Sequence, residues 1–351
     1  MGLEANKGAT QKGAVRVVIA TVNRPAMLRQ ALQSVMDQTA RERIGTVLVS
    51  ENGGGQESRQ VCAEFPGLPI QYVFRQPATN AFEHGRRLFA EPFPEPYTAI
   101  LHDDDWWLPE HLAEGLRALD DRPAAMVCYS SFYENSDQAG IMASGSWHFY
   151  WWFGAGFPAL ASVWELNLPE IAAASFLRTA GHYSSLLARS GPLQQAFDRM
   201  YAVNNPYDND RLLLVLLAEQ GAVLYRPFAG VVVRLHPGQD ARGFHHEQAS
   251  RHMLETTEWI ANRCQTRGID LAALVAGRIR QCPAEARERL DAILDSPWCV
   301  PAGRRMSARF PELAGLVPES WRSDWRVRAK ALARAGVPPF LAQFGKAVLR
   351  R

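Results

Sequence analysis

Residues 15–36 read VRVVIATVNRPAMLRQALQSVM, and this stretch decides the fold. Val15 to Val22 is a run dominated by β-branched residues, the pattern of a strand covered on both faces. Asn23 then offers an N-cap, and Pro25 suits a first helical turn. Leu28, Ala31, Leu32, Val35 and Met36 recur at the spacing of one helical face. A buried strand running straight into an amphipathic helix is the first half of a βαβ unit.

The alternation continues outward from there. TVLVS (46–50) reads as a second buried strand closed by ENGGG, followed by a helix through about 56–64. IQYVF (70–74), a helix around 82–90 and YTAIL (97–101) come next. Pro109 opens a helix with Leu112, Leu116 and Leu119 on one face, and AAMVCYSSF (124–132) returns as a strand. The class is therefore α/β, a mostly parallel sheet flanked by helices. Ligands bind such sheets beyond the carboxyl ends of the strands, where Asn23, Glu51 and Asp103–Asp105 all fall. Further on, a helix is expected over 209–220 with Gly221 as its stop, then two short strands in AVLYRPFAGVVVRLHPG (222–238). From residue 247 the composition turns helical and Arg-rich.

Bulk composition narrows the classes. With 351 residues, 47% hydrophobic and 21% charged, the chain is an ordinary globular protein, and a net charge of +2 gives no argument for nucleic acid. Cysteines 62, 128, 264, 282 and 299 lack zinc spacing and suit reduced thiols in a cytosol. The opening MGLEANKGATQKGAV has no apolar signal-peptide core and reads as a tail, and its sixth residue is not the Ser or Thr of a myristoylation pattern. Residues 138–164 carry no charge, but Gly, Ser, Pro and His break them up. Their aromatics, Trp147 to Phe153, fit an acceptor wall or a peripheral lipid contact better than a membrane span. The basic, partly amphipathic C-terminus after Arg322 suits a membrane-surface or subunit contact, or a solvated helix.

AILHDDDWWLPEHL (99–112) carries the chemistry. Three adjacent carboxylates at the end of a buried strand repel one another and resist desolvation. A helix cap at Asp105 accounts for one or two of them. A hard divalent cation, Mn²⁺ or Mg²⁺, accounts for all three and implies a phosphorylated substrate.

In order and spacing, VVIATVNRPAMLRQALQSVMDQT (17–39), VLVSENGG (47–54) and AILHDDDWWLPEHL (99–112) resemble the family 2 glycosyltransferases with a GT-A fold. The resemblance covers about 15–240 and implies an inverting, metal-dependent transfer of a sugar from a nucleotide-diphosphate sugar to an acceptor hydroxyl. It implies metal ligation by Asp104, with Asp105 and His236 completing the site, and His245 and His246 as weaker competitors for the histidine. It assigns Thr21, Asn23, Arg24, Glu51, Arg75, Arg86, Asp103 and Gly181 to the nucleotide-sugar, and Trp151 and Trp152 to the acceptor. In NNPYDNDRLLLVLLAEQG (204–221), Asp210 matches the general base. The chain departs from the family at His102, where relatives carry the first aspartate of a DxD motif, and at Asn209, where they carry a glutamate.

The expected organisation is a tail (1–14), a GT-A domain (15–246, with a nucleotide-sugar half to about 135 and an acceptor half after it) and a helical appendage (247–351). Expected partners are a UDP-sugar, with GDP- and dTDP-sugars as alternatives, and a glycan, lipid-linked or small-molecule acceptor. A homo-oligomer is compatible with the sequence, and the expected location is the cytoplasm or the inner face of its membrane. Two competing readings are a non-catalytic sugar-nucleotide binder and a sugar nucleotidylyltransferase. The second would want a Gly-rich basic loop after the first strand, and TVNRPAML (21–28) is not one.

Overall fold

The computed structural model describes residues 12–136, 140–142, 163–177, 181–236, 246–281, 306, 308–314 and 316. The chain divides into two compact units, residues 1–171 with 179–237, and residues 172–178 with 238–351.

In the first unit, β1 (Val15–Thr21) is buried on both faces, as its β-branched run requires. α1 (Pro25–Met36) turns Leu28, Ala31, Leu32 and Val35 fully inward. Its N-cap is Arg24 rather than the expected Asn23. Asn23 instead sits in the left-handed region at φ 50°, and its Oδ1 accepts the Gly55 amide at 3.3 Å. An Asn tolerates that conformation better than most residues, so it serves the turn and leaves the cap position to its neighbour.

The expected alternation follows as β2 (Ile44–Asn52), α2 (Glu57–Ala63), β3 (Ile70–Arg75), α3 (Ala81–Leu88) and β4 (Tyr97–His102). β3, β2, β1 and β4 lie side by side and parallel. β5 (Trp106–Trp107) and α4 (His111–Asp120) come next. The helix begins two residues after Pro109 with Glu110 at its N-cap, so none of Asp103–Asp105 caps it. β6 (Ala125–Ser136), β7 (Gly140–Met142), β8 (Trp164–Leu166), β9 (Leu186–Arg189), α6 (Ser190–Val203), α7 (Asn209–Ala218) and β10 (Ala222–Leu235) complete the unit, and α5 (Leu168–Leu177), between β8 and β9 in the chain, belongs to the second unit from Ala172 on.

Among the described residues the sheet order is β3-β2-β1-β4-β9-β6-β10-β5, with β7 on β6 and β8 on β10. β9 runs antiparallel between β4 and β6, and β6 and β10 are parallel. Two short strands were expected over 222–235, yet β10 is one strand of 14 residues. Its register shifts between Arg226 and Val231, where Pro227 cannot donate to a ladder and Phe228 swings out to 63% exposure. The core under the sheet is built from Val15, Val17, Ile19, Val47, Val49, Ala99 and Leu101 against α1.

The second unit is helical where described, with α8 (His246–Thr266), α9 (Leu271–Gln281) and α10 (Pro311–Ala314). Ile260, Cys264, Val275, Ile279 and Leu313 are buried in it, and Phe176 packs edge-on to Phe310 with centroids 5.7 Å apart. Arg309 donates to Asn262 and Gln265, each at 2.6 Å. No described helix is long and apolar enough to cross a membrane. Cys62, Cys128 and Cys264 are buried.

Candidate active site

Parallel register brings the sequence-predicted residues to one edge. Thr21 pairs with Glu51, Asn52 with Arg75 and Ala20 with His102, so the ends of β1, β2, β3 and β4 present these side chains together. β9 is antiparallel to β4, and the short 3₁₀ turn before it (Tyr183–Ser185) therefore meets the same edge. β5 pairs antiparallel with β10 through Trp106 and Val232, which draws Arg234 and His236 towards the three aspartates.

Each aspartate has its own surroundings. Asp103 accepts from the Thr21 hydroxyl at 2.7 Å and from Arg24 at 3.1 Å. Burial pushes its carboxyl up against the pull of Arg24. Asp104 Oδ2 meets Arg24 at 3.3 Å and His236 Nε2 at 3.0 Å. Desolvation works upward on Asp104, but His102, the His236 hydrogen bond and Arg24 together hold its carboxyl below the usual carboxylate range. Asp105 accepts from the Ser184 hydroxyl at 2.6 Å and the Arg234 amide at 3.0 Å, and burial pushes it up to about 6. The Arg234 guanidinium donates to the Asp104 carbonyl at 2.9 Å and lies over the Trp106 ring.

The structure thus pairs Asp104 with His236 and turns Asp105 towards His102 and His182. The first pair suits a hard divalent ion. An oxygen and a nitrogen each about 2.1 Å from one ion, at right angles, stand about 3.0 Å apart.

Around the nucleotide end, Glu51 is 1% exposed, and its Oε1 accepts the Asn23 amide at 3.2 Å. Among the described residues its Oε2 has no hydrogen-bond partner within normal geometry. Asn52 clasps the following loop, donating to the Thr79 carbonyl at 2.7 Å and accepting its amide at 2.9 Å. Arg75 donates to Ser50 Oγ at 2.9 Å, and Ser50 lies 2.9 Å from His84 Nε2. Burial, then Arg75, pushes His84 down to about 4, so its neutral ring can accept the Ser50 hydroxyl. Arg86 is forked onto Glu83 on the exposed face of α3, with both contacts at 2.8 Å.

Asp210 lies in the first turn of α7, behind Asp208, which is buried and paired with Arg211 at 2.7 Å. Desolvation pushes the Asp210 carboxyl up to about 7, opposed by His102 and aided by Asp208. Its charge in turn raises the buried phenols of Tyr129 and Tyr183 further, beyond the effect of burial. Gly181 stands against the Tyr129 ring, where a Cβ would come within 2.6 Å of a ring carbon. Trp151 and Trp152 lie outside the described residues, as do the aromatics around them and His245.

Residues 16–180 match the family model for glycosyl transferase family 2. Over these residues the chain is similar to that family. The fold agrees. S. aureus TarS superposes with a TM-score of 0.57 at 13% identity, over 92% of this chain and 54% of that one. S. aureus TarS 1–349 in complex with UDP-GlcNAc gives 0.53 at 12% identity, over 92% and 88%. The chain thus spans about half of the longer TarS structure. No curated protein matches it.

Several residues of this candidate site escaped the sequence reading. Ser184 donates to Asp105 and accepts the His102 amide at 3.1 Å, and Arg234 braces Asp104 and Asp105 from β10. Neither carries a motif. His182 follows Gly181 directly in RTAGHYSS (178–185) and was visible there as a titratable neighbour of a glycine already singled out.

Proposed function

We propose that this glycosyltransferase moves a sugar from a UDP-sugar to an acceptor hydroxyl with inversion, in a metal-dependent reaction. The observation that carries the reading is the contact of 3.0 Å between a carboxylate held deprotonated, Asp104, and His236 at the carboxyl edge of the sheet. Asp104 and His236 would hold the divalent ion, Mn²⁺ or Mg²⁺. When bound, that ion supplies positive charge for the diphosphate as it leaves.

The chain's own residues do the rest. Glu51, with one oxygen unpaired among the described residues, and Thr21 and Asn23 beside it receive the nucleoside. Arg24 spans Asp103 and Asp104 and keeps both carboxylates in place. Arg75 faces the diphosphate, Arg86 lies further out on α3, and Gly181 leaves room for the sugar. Asp210 takes the proton of the acceptor hydroxyl as its oxygen attacks the anomeric carbon and the bond to the diphosphate breaks. A single displacement of this kind inverts the anomeric centre. Trp151 and Trp152 would meet a glycan, lipid-linked or small-molecule acceptor, the catalytic residues all falling within 15–246.

Donor hydrolysis tests the reading. UDP-, GDP- and dTDP-sugars with Mn²⁺ are offered to wild type, Asp104→Ala and Asp210→Asn. Metal-dependent release of UDP that disappears in Asp104→Ala supports it. Failure to bind any sugar nucleotide overturns it.

A further inference from the structure

Of the three adjacent aspartates, Arg24 serves Asp103 and Asp104. Asp105 is 2% exposed, and among the described residues it meets no Arg or Lys side chain. Two histidines face it instead. His102 Nδ1 and His182 Nδ1 each lie 3.8 Å from Asp105 Oδ2. One ligand atom from each of the three residues falls within 4.8 Å of the others, the one group of three His, Cys, Asp or Glu side chains among the described residues to do so.

We propose that His102, Asp105 and His182 form a cation site of their own, built for a first-row transition ion such as Zn²⁺ or Co²⁺ rather than for Mg²⁺. The ligand set carries the preference. Two imidazoles and one carboxylate suit Zn²⁺ or Co²⁺, whereas Mg²⁺ takes oxygen ligands and keeps its water.

The geometry is nearly closed. Two ligands about 2.1 Å from a tetrahedral ion stand about 3.4 Å apart, so each histidine–aspartate contact shortens by about 0.4 Å on binding, and the two histidines, their ligand atoms within 4.8 Å of each other, draw together as well. The outer ligand can make that movement, because the His102 side chain is 41% exposed and opens the site to solvent. Asp105 is already aimed: the Arg234 amide holds Oδ1 at 3.0 Å, leaving Oδ2 towards the histidines. Ser184 is the group the ion must displace, because the single lone pair of His182 Nδ1 serves either a metal or an N–H. Its hydroxyl donates to Asp105 Oδ2 and its amide to His182 Nδ1 at 3.2 Å. Phe132 and Tyr183 wall the histidines, with centroids 5.6 and 5.7 Å from the rings of His182 and His102. The site stands on these residues whether or not sugar transfer occurs.

Metal-stripped full-length protein is titrated with Co²⁺, whose visible absorption reports nitrogen ligation and coordination number. With a hundredfold excess of Mg²⁺ to compete for the Asp104–His236 site, one Co²⁺ per chain is expected to remain, and it is kept in Asp104→Asn. Affinity should fall by on the order of 100-fold in His182→Ala and in His102→Ala. The exposed His102 carries the test if His182→Ala fails to fold. The proposal is overturned if no Co²⁺ is taken up, or if uptake survives both histidine substitutions. UDP-sugar binding by the same stripped protein reports on the donor reading separately.

Discussion

His236 Nε2 lies 3.0 Å from Asp104 Oδ2 although 132 residues of chain separate them. The antiparallel pairing of β5 with β10 makes that meeting, because Trp106 pairs with Val232, just after Asp104 in the chain and just before His236. The two side chains already stand at the spacing of two ligands on one ion. His236→Ala should therefore raise the Mn²⁺ concentration for half-maximal donor hydrolysis by about 10–100-fold. An unchanged Mn²⁺ requirement would remove His236 from the metal site.

Asp210 should titrate near neutrality. It is pushed up to about 7, and only its ionised form can take a proton, so the acceptor-transfer rate should rise with pH through about 7 and then level. Asp208 is paired with Arg211, and the Tyr129 and Tyr183 phenols are raised further from ionisation, so these three neighbours do not supply the limb. Asp210→Asn should lose about 10²–10⁴ in rate and the pH limb with it. Stability supplies a second reading. A raised carboxylic pKa means the folded state keeps a proton that the unfolded chain releases, so the Asp210 contribution falls as pH rises from the unfolded value to about 7. Asp210→Asn should accordingly be more stable than wild type above pH 7, by on the order of 1 kcal/mol in chemical denaturation.

Gly181 is held to its size by Tyr129. A Cβ there would lie 2.6 and 2.9 Å from two ring carbons, and the ring is buried and cannot swing clear. Gly181→Ala should destabilise by about 1–3 kcal/mol and reduce donor turnover together, whereas Gly191→Ala, which meets nothing within 4 Å, should do neither. Thermal unfolding and donor hydrolysis on the two variants separate these outcomes.

How much of this was legible in the sequence follows from where each signal resides. The strands β1, β2 and β4 announce themselves because burial forces continuous apolar runs, and acids stand at the ends of β2 and β4; β3, half-exposed at the sheet edge, reads from its aromatic and β-branched residues alone. β9 and the 3₁₀ turn before it were invisible: LLAR is too short for a period, so Ser184 and His182 could not be placed beside Asp105. The cap at Asn23 failed because cap preference and left-handed preference favour the same residue type, and the turn won it. Pro227 made β10 read as two strands, since a bulge and a break leave the same mark on a sequence.

Arg24 joins the donor edge to the stability of the whole sheet. One guanidinium nitrogen lies 3.1 Å from Asp103 and 3.3 Å from Asp104, and both acids are buried. Removing it leaves two adjacent carboxylates with their mutual repulsion uncompensated in a desolvated edge. Arg24→Met keeps much of the side chain's volume and discards the charge, and should destabilise by roughly 2–4 kcal/mol in urea. The loss has a specific remedy if the aspartates face a cation. Mn²⁺ binds the folded state alone and stabilises by mass action, about 2.7 kcal/mol at a hundredfold excess over its Kd. Freed of a competing cation, Arg24→Met should gain more from Mn²⁺ than wild type does. Equal gains in the two proteins would mean that Arg24 and the metal do not share the acids, and that Asp103 and Asp104 serve structure alone.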